Sequence, residues 1–266
     1  ARFIYKHSTD VFFSTLLYYL FIFPRTMNIC RMYVAIGFFL FAYDCILNKE
    51  RIRALALILA ATLFHESAWL LLSVWLFSFI KKIDWRVYVN MILCGVVLFT
   101  SFDYVLPKIL TIFERYSHYL TKSIMYKSTL TWKYAIIYGI VILISTYYIF
   151  CMKGQNKVIS TSLNQRMADD CHKMLSLENN NFILMSGFFI WSIVFLLLSG
   201  KMFLMDRFFD YFYFSFIIIT PNGIRYSFDS RSANFLKVLL GLVFIYAGMN
   251  SIVANIAGVY PYMFCF

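Results

Sequence analysis

Ionisable side chains lie inside or beside long apolar runs of this sequence, and these positions are the first candidates for chemistry. Arg31 lies near the start of one run, His65 interrupts another, and Arg207 opens a third. A histidine that is neutral near pH 7 can accept a proton, and a guanidinium matches the oxygens of a phosphate. Charged groups at membrane depth are costly unless they face a cavity or a partner. We therefore take these residues, together with Glu66, as candidate catalytic residues.

Each of these residues also has a structural interpretation. Arg31 could extend to the membrane interface, His65 could cap a turn, and Arg207 could anchor an aromatic belt. Glu66 could orient His65, pair with an arginine on the outer side, or begin a helix. Ser67 fits a helix cap better than a nucleophile. The residue types alone leave these alternatives open.

Helical spacing divides the residues around Arg207 between two faces. Arg207 and Tyr211 fall on one face, whereas Asp206 and Asp210 fall on another. Arg207 is expected to point at the outer interface of the membrane. We predict that Asp206 and Tyr211 bind substrate, together with Ser67.

The composition indicates which solvent surrounds these side chains. Of 266 residues, 62% are hydrophobic and 14% are charged, and the mean hydropathy is +0.73. One soluble core could not bury so many apolar runs, and glycine and proline are too few for a collagen-like or low-complexity chain. The six cysteines are scattered without a CxxC pair, which argues against a disulfide or zinc framework. The sequence therefore predicts a multi-spanning membrane protein.

Apolar runs of helix length follow one another along the chain. Backbone groups in lipid must find their hydrogen bonds within the segment, so each run is predicted to be helical. We predict an all-α polytopic membrane protein with about eight to nine transmembrane helices in a single domain, 1–266. The runs cover residues 11–24, 27–47, 53–80, 87–106, 132–151, 181–200, 208–224 and 235–256.

The run 53–80 is too long for one ordinary span, and basic residues flank both of its ends. Because cytoplasmic loops carry an excess of lysine and arginine, both flanks are expected in the cytoplasm. A short helical hairpin with arms at 53–64 and 67–80 satisfies this rule. It places His65 at the turn, on the periplasmic side.

Two longer connections follow from the same topology. Residues 102–131 are predicted to form a periplasmic loop or interfacial helix, whose Arg115, Tyr116 and Tyr119 are candidates for substrate binding. Residues 152–178 are predicted to form a solvated cytoplasmic loop. Interfacial anchoring is the alternative for the aromatic and basic residues of the outer segment.

Motifs of soluble enzymes and of metal sites do not occur in the sequence. It has no GxGxxG, P-loop, HExxH or GxSxG pattern, and the pair Asp169 and Asp170 stands alone in the inner loop. The basic residues are divided between both membrane faces, so we predict no nucleic-acid binding. Anionic lipid or a lipid-linked phosphate fits this charge better.

Several short motifs, taken in order, resemble those of a known family. The family pattern has an arginine, then an alanine-containing apolar helix, then a His-x-Ser-Ala break, and Arg31 and His65 occupy the matching positions. The chain resembles the EpsG-like, Wzy-type family of O-antigen and exopolysaccharide polymerases. The segments that carry the resemblance are 29–35, 60–68, 114–119, 206–212 with Pro221 downstream, and 259–262.

This resemblance implies a glycosyltransferase of the bacterial inner membrane, active at the periplasmic face in polysaccharide biosynthesis. It implies transfer of a growing glycan from undecaprenyl diphosphate to a new lipid-linked repeat unit, without a metal or other cofactor. His65 would be the general base, with Glu66 less favoured, and Arg31 and Arg207 would hold the diphosphate. Candidate sugar-binding residues are Tyr116, Tyr119, Tyr211 and Tyr262.

The resemblance also bears on partners and on the start of the chain. Membrane lipids and the undecaprenyl-diphosphate-linked oligosaccharide are implied partners, and a chain-length regulator protein is a further partner to consider. Family members usually have additional helices before the arginine motif. The chain is therefore either a short member or one whose start is lost.

Two other classes of protein would use a similar site. An O-antigen ligase would share the lipid-linked donor and differ in the acceptor. A flippase or transporter of the lipid-linked oligosaccharide would also need cations in a cavity, but it would need no titratable base. A test at His65 separates the flippase from the polymerase.

Overall fold

The structure, a computed structural model, describes residues 1–80, 82–112, 132–155, 165–202 and 204–253. Every regular element in these ranges is helical, which confirms the all-α prediction. In chain order the elements are α1 (Arg2–His7), α2 (Val11–Leu17), a π-helical turn (Tyr18–Ile22), α3 (Phe23–Asn28), α4 (Cys30–Leu47), α5 (Arg51–Phe64), a 3₁₀ turn (Glu66–Leu70), α6 (Leu71–Trp75), a second 3₁₀ turn (Leu76–Phe79), α7 (Trp85–Ile112), α8 (Trp132–Gln155), α9 (Gln165–Ser199), α10 (Leu204–Ser227) and α11 (Ser230–Val253).

Several of these helices have the length and composition of membrane spans. A bilayer core about 30 Å thick needs about 20 apolar helical residues. Within the described ranges, four helices meet this requirement: Cys30–Leu47, Trp85–Val105, Glu178–Ser199 and Ser230–Asn250. Shorter apolar helices accompany them, so the chain is a polytopic membrane protein, as predicted.

α5 and the helical arm that follows it run antiparallel and form the predicted hairpin. The Trp75 indole N–H donates to the Arg51 carbonyl at 3.0 Å, and the Lys49 ammonium donates to the Ile80 carbonyl at 2.7 Å. The start and the end of the run therefore meet. His65 lies at the turn between the arms, at the far end of the hairpin.

Successive helices alternate in direction, which separates two ends of the bundle. Lys201, after α9, pairs with Asp103 of α7 at 2.6 Å. Tyr226, near the end of α10, stacks on Tyr148 of α8 with ring centroids 5.0 Å apart. We call the end that holds the Lys201–Asp103 pair the His65 end, and the end that holds the Tyr226–Tyr148 stack the hairpin-base end. The charge pattern predicts the His65 end on the periplasmic side and the hairpin-base end on the cytoplasmic side.

The first predicted span is one helical rod with an irregular middle. α2 passes through the π-helical turn into α3, which continues to Asn28, beyond the predicted run 11–24. Pro24 lies in the first turn of α3. Proline has no N–H to donate, which breaks the regular α ladder at this point. The rod therefore ends in a short helix of its own, Phe23–Asn28.

Described helices run into both of the segments that were predicted as long connections. The outer segment 102–131 begins inside α7, which continues to Ile112. The inner segment 152–178 begins inside α8 and ends inside α9, which starts at Gln165. The start of α9 is rich in glutamine, arginine, methionine, alanine and leucine, which sustain a helix well and explain its extension before the apolar run. The rest of each segment lies outside the described residues.

α9 and α10 form the most extensive helix pair of the described part of the chain. Phe195 of α9 stacks on Phe212 of α10 with ring centroids 5.8 Å apart, and Phe189 stacks on Phe216 at 5.6 Å. Such pairs stabilise a packed interface beyond the burial of their area. This aromatic core holds the start of α10 in place at the His65 end.

We expect Gly187→Leu to destabilise the protein, because a leucine at this position of α9 would displace the buried side chain of Met91 from its place between α7 and α9. A Cβ added to Gly187 would lie 2.6 Å from Cε of Met91 in α7. Overpacking of this kind costs about 1–3 kcal/mol, so the midpoint of thermal unfolding in detergent should fall. Gly37→Leu is the matched control, since nothing lies within 4 Å of its Cβ position. An equal loss in both variants would contradict the packing argument.

Candidate functional site

A series of hydrogen bonds joins the hairpin turn to α10 at the His65 end. Arg207 Nη1 lies 3.1 Å from His65 Nε2, and His65 Nδ1 lies 2.6 Å from Ser67 Oγ. Ser67 Oγ in turn donates to the Tyr211 hydroxyl at 3.2 Å. We call these four residues the His65 cluster. Two segments that are distant in the sequence therefore meet at one imidazole.

The donor inventory of the His65 cluster assigns the imidazole tautomer. A guanidinium can only donate, so His65 Nε2 accepts from Arg207 and carries no proton. The neutral ring then has its proton on Nδ1, which donates to Ser67 Oγ. The Ser67 backbone N–H lies 3.3 Å from the same Nδ1, but the charge-assisted contact with Arg207 is the stronger one and sets the tautomer.

The position of Ser67 corrects its predicted role as a helix cap. The 3₁₀ turn after α5 begins at Glu66, and its N-cap residue is His65. Ser67 is therefore already inside the first turn. Its hydroxyl links His65 to Tyr211 instead of capping the helix.

The charges around His65 favour its neutral form. His65 lies in the turn between the hairpin arms and is half-buried. Burial, then the guanidinium groups of Arg207 and Arg31, lower the pKa of His65 from its ordinary value of 6.5, and Glu66 opposes this effect. An imidazolium is disfavoured beside these cations. His65 is therefore a neutral acceptor at pH 7.

Arg25, in α3, binds two carboxylates of α10. Its Nη2 donates to Asp206 Oδ2 at 2.9 Å and to Asp210 Oδ2 at 3.0 Å, and its Nε donates to Asp210 Oδ1. The Tyr33 hydroxyl of α4 donates to the same Oδ1 at 3.3 Å. Asp210 is 2% exposed and the Arg25 side chain is 16% exposed. We call Arg25, Asp206 and Asp210 the Arg25 clamp, which joins α3 to α10.

The two-face prediction for the start of α10 is confirmed. Arg207 and Tyr211 contact the His65 cluster, whereas Asp206 and Asp210 face Arg25. Asp206, predicted to bind substrate, is bound by Arg25 in the structure. Tyr211, predicted to bind substrate, is fully buried, and its hydroxyl accepts a hydrogen bond from Ser67.

The other predicted site residues are more exposed or lie elsewhere. Arg31 is exposed at the start of α4, close enough to His65 to lower its pKa. Glu66 is exposed next to His65. The residues that fall outside the described part of the chain are Arg115, Tyr116, Tyr119 and Tyr262.

Sequence reasoning missed Arg25 and Tyr33 as members of this region. Arg25 follows the first apolar run and is one of many basic residues that lie outside the predicted spans. Its signal lay in α10, where two carboxylates one helical turn apart at membrane depth require a cation. Nothing in the sequence indicates which cation provides the charge, because that depends on helix packing.

The arrangement can accept a proton and bind an anion. The salt bridges of the described ranges include neither Arg31 nor Arg207, so both guanidinium groups are candidates to bind an anion at the site. One guanidinium can donate two parallel hydrogen bonds to two oxygens of a phosphate. Among the described residues, no group of three or more His, Cys, Asp or Glu side chains could hold a metal ion.

The described helices that are long and apolar enough to span a membrane, with His65 and Arg207 in contact at one end of the bundle, define an all-α polytopic membrane protein with a candidate site at that end. The chain belongs to the EpsG family, whose model matches residues 1–264. This family suggests a role as a polysaccharide polymerase of the glycosyltransferase type. No curated protein and no solved structure matched the chain.

Proposed function

We propose that the protein polymerises a bacterial polysaccharide by transferring a growing glycan from undecaprenyl diphosphate to a new lipid-linked repeat unit. The reaction takes place at the His65 end, which faces the periplasm of the inner membrane. The observation that carries this proposal is the contact between His65 Nε2 and Arg207. It places a proton acceptor and a phosphate-binding cation at one point.

The reaction forms one bond and breaks one. A hydroxyl of the acceptor sugar attacks the anomeric carbon of the donor glycan, and its proton passes to His65 Nε2. The bond from that carbon to the diphosphate oxygen breaks, and the lipid diphosphate leaves with the electron pair. His65 then returns its proton to solvent. General-base help of this kind contributes about 10² to 10⁴ in rate.

The two arginines stabilise the leaving group in this scheme. Arg207 and Arg31 bind the diphosphate oxygens and neutralise the charge that develops as the bond breaks. In the structure, Arg207 covers the lone pair of His65 Nε2. As its guanidinium turns to the diphosphate, Nε2 becomes available to the acceptor hydroxyl. The donor thus uncovers the base that its own reaction requires.

The test uses purified protein in nanodiscs with lipid-linked repeat units extracted from the source strain. Nanodiscs expose both membrane faces, so transport is not required. We expect a ladder of polymers and release of one lipid diphosphate per bond formed. Folded protein that gives neither product would overturn the proposal. A flippase would move the units in vesicles without extending them, and a ligase would transfer them to a different acceptor.

The polymerisation rate should rise with pH along an acid limb whose midpoint lies below 6.5. A general base must be unprotonated, so activity is lost as pH falls through the pKa of His65. That pKa is lowered from 6.5 by burial and by the two arginines, which moves the limb to lower pH. Initial rates in nanodiscs from roughly pH 4.5 to pH 8, the range over which histidines titrate, would locate this midpoint. A midpoint above 6.5 would contradict the assigned environment.

A further inference from the structure

The Arg25 clamp holds the start of α10 on a different face from the one that contacts the His65 cluster. Asp206 and Asp210 stand one helical turn apart, and a single guanidinium contacts both. Helix ends fray unless their first turn is tied down. Arg207 lies between the two clamped residues in the sequence, so the same contacts fix its place on α10, while its side chain can still turn between His65 and a diphosphate.

We propose that the Arg25 clamp is a positioning device that keeps Arg207 on His65 and available to the substrate. The effect of the clamp on catalysis rests on the proposed function, whereas its effect on the position of Arg207 rests only on the contacts of Arg25 with Asp206 and Asp210. Arg25, Asp206 and Asp210 are positioning residues, because they act on the reaction through Arg207.

Competition for Arg207 is the physical basis of this role. Arg207 and Asp210 are three residues apart on one helix; they face different partners in the structure, but opposite charges at this spacing are within reach of each other. Asp210 is almost fully buried and cannot satisfy its charge with water. Arg25 satisfies it from α3 instead, with support from Tyr33. Without Arg25, the carboxylate of Asp210 would draw Arg207 away from His65.

The charge state of His65 reports where Arg207 lies. The groups that face His65 are Arg207 and Tyr211 from α10, Arg31 from α4, and Glu66 beside it. Arg207 is the nearest cation and lowers the pKa of His65. If Arg207 moves to Asp210, this effect weakens and the pKa of His65 rises.

The test is an NMR titration of histidine rings in nanodiscs, with His65→Gln used to assign the His65 signal. In Arg25→Gln we expect the pKa of His65 to rise by about 0.5 or more. In Arg25→Gln with Asp210→Asn, the competing carboxylate is gone, so the pKa should return toward the wild-type value. Asp103→Asn breaks the exposed pair with Lys201 at the same end and should leave the pKa unchanged.

Arg25→Lys keeps the measurement informative if Arg25→Gln does not fold. A lysine retains the charge but loses the fork that reaches both carboxylates, so we expect a smaller rise in the same direction. An unchanged pKa in folded Arg25→Lys and Arg25→Gln would overturn the proposal, as would an equal rise in Asp103→Asn. A merely structural role would lower the yield of folded protein without moving the titration.

The titration needs no substrate, so the two proposals can fail separately. If the wild type makes polymer and the pKa of His65 does not respond to Arg25, only the positioning role is wrong. If the pKa responds as expected and the wild type makes no polymer, only the proposed function is wrong. In active protein, the acid limb of the rate profile should move to higher pH in Arg25→Gln, together with the titration.

Discussion

His65→Ala is expected to abolish the polymer ladder, with a fall in the sugar-transfer rate of about 10² to 10⁴. The imidazole is the only group of the His65 cluster that is a neutral proton acceptor at pH 7, since burial and Arg207 hold its pKa low. Removing it leaves the acceptor hydroxyl without a base. The measurement is the initial rate of lipid diphosphate release in nanodiscs, at equal amounts of folded protein.

His65→Gln separates the catalytic role from the capping role that the sequence left open. The glutamine carbonyl can still accept a hydrogen bond from Arg207, but the amide takes no proton at neutral pH. We expect a loss close to that of His65→Ala. Near-normal activity in His65→Gln would show that His65 is only a hydrogen-bonding residue of the turn. A flippase, which needs no base, would tolerate the same substitution.

Arg207→Gln is expected to lower the transfer rate by about 10² to 10³, the usual effect of removing one preorganised donor at a developing negative charge. Arg207 faces the site without a carboxylate partner in the described ranges. Arg207→Lys keeps a positive charge but loses bidentate geometry, so its activity should lie between those of the wild type and Arg207→Gln. Rates at saturating and limiting donor separate kcat from KM.

Lys201→Gln is the matched control for the Arg207 variants. Lys201 is a cation at the same end of the bundle, but it is paired with the exposed Asp103. Exposed pairs of this kind contribute little, and we expect nearly normal activity. Equal losses in Arg207→Gln and Lys201→Gln would show that only the overall positive charge of this end matters.

The hairpin could be predicted because lipid leaves the chain few choices. The run 53–80 exceeds one span and has basic residues at both flanks, so only an antiparallel return places both flanks on one side. The placement of Asp206 and Arg207 on different faces of α10 could also be predicted, because spacing along a helix determines the face on which a residue lies.

Contacts between distant helices could not be predicted in the same way. The pairing of Arg25 with Asp210 depends on how α3 and α10 pack, and nothing in a single sequence fixes that packing. The ends of the helices that lead into the long connections could not be predicted for another reason. Hydropathy locates where lipid ends, whereas a helix ends where its hydrogen-bonded ladder stops, as α7 does at Ile112.

The π-helical turn between α2 and α3 sets the phase of Arg25. An α-helix rotates by about 100° with each residue, so one residue more or less in Tyr18–Ile22 would carry Arg25 to a different side of its helix. The guanidinium would then point away from α10. The contact of Arg25 with α10 therefore depends on the number of residues in this turn, and only secondarily on which side chains the turn contains.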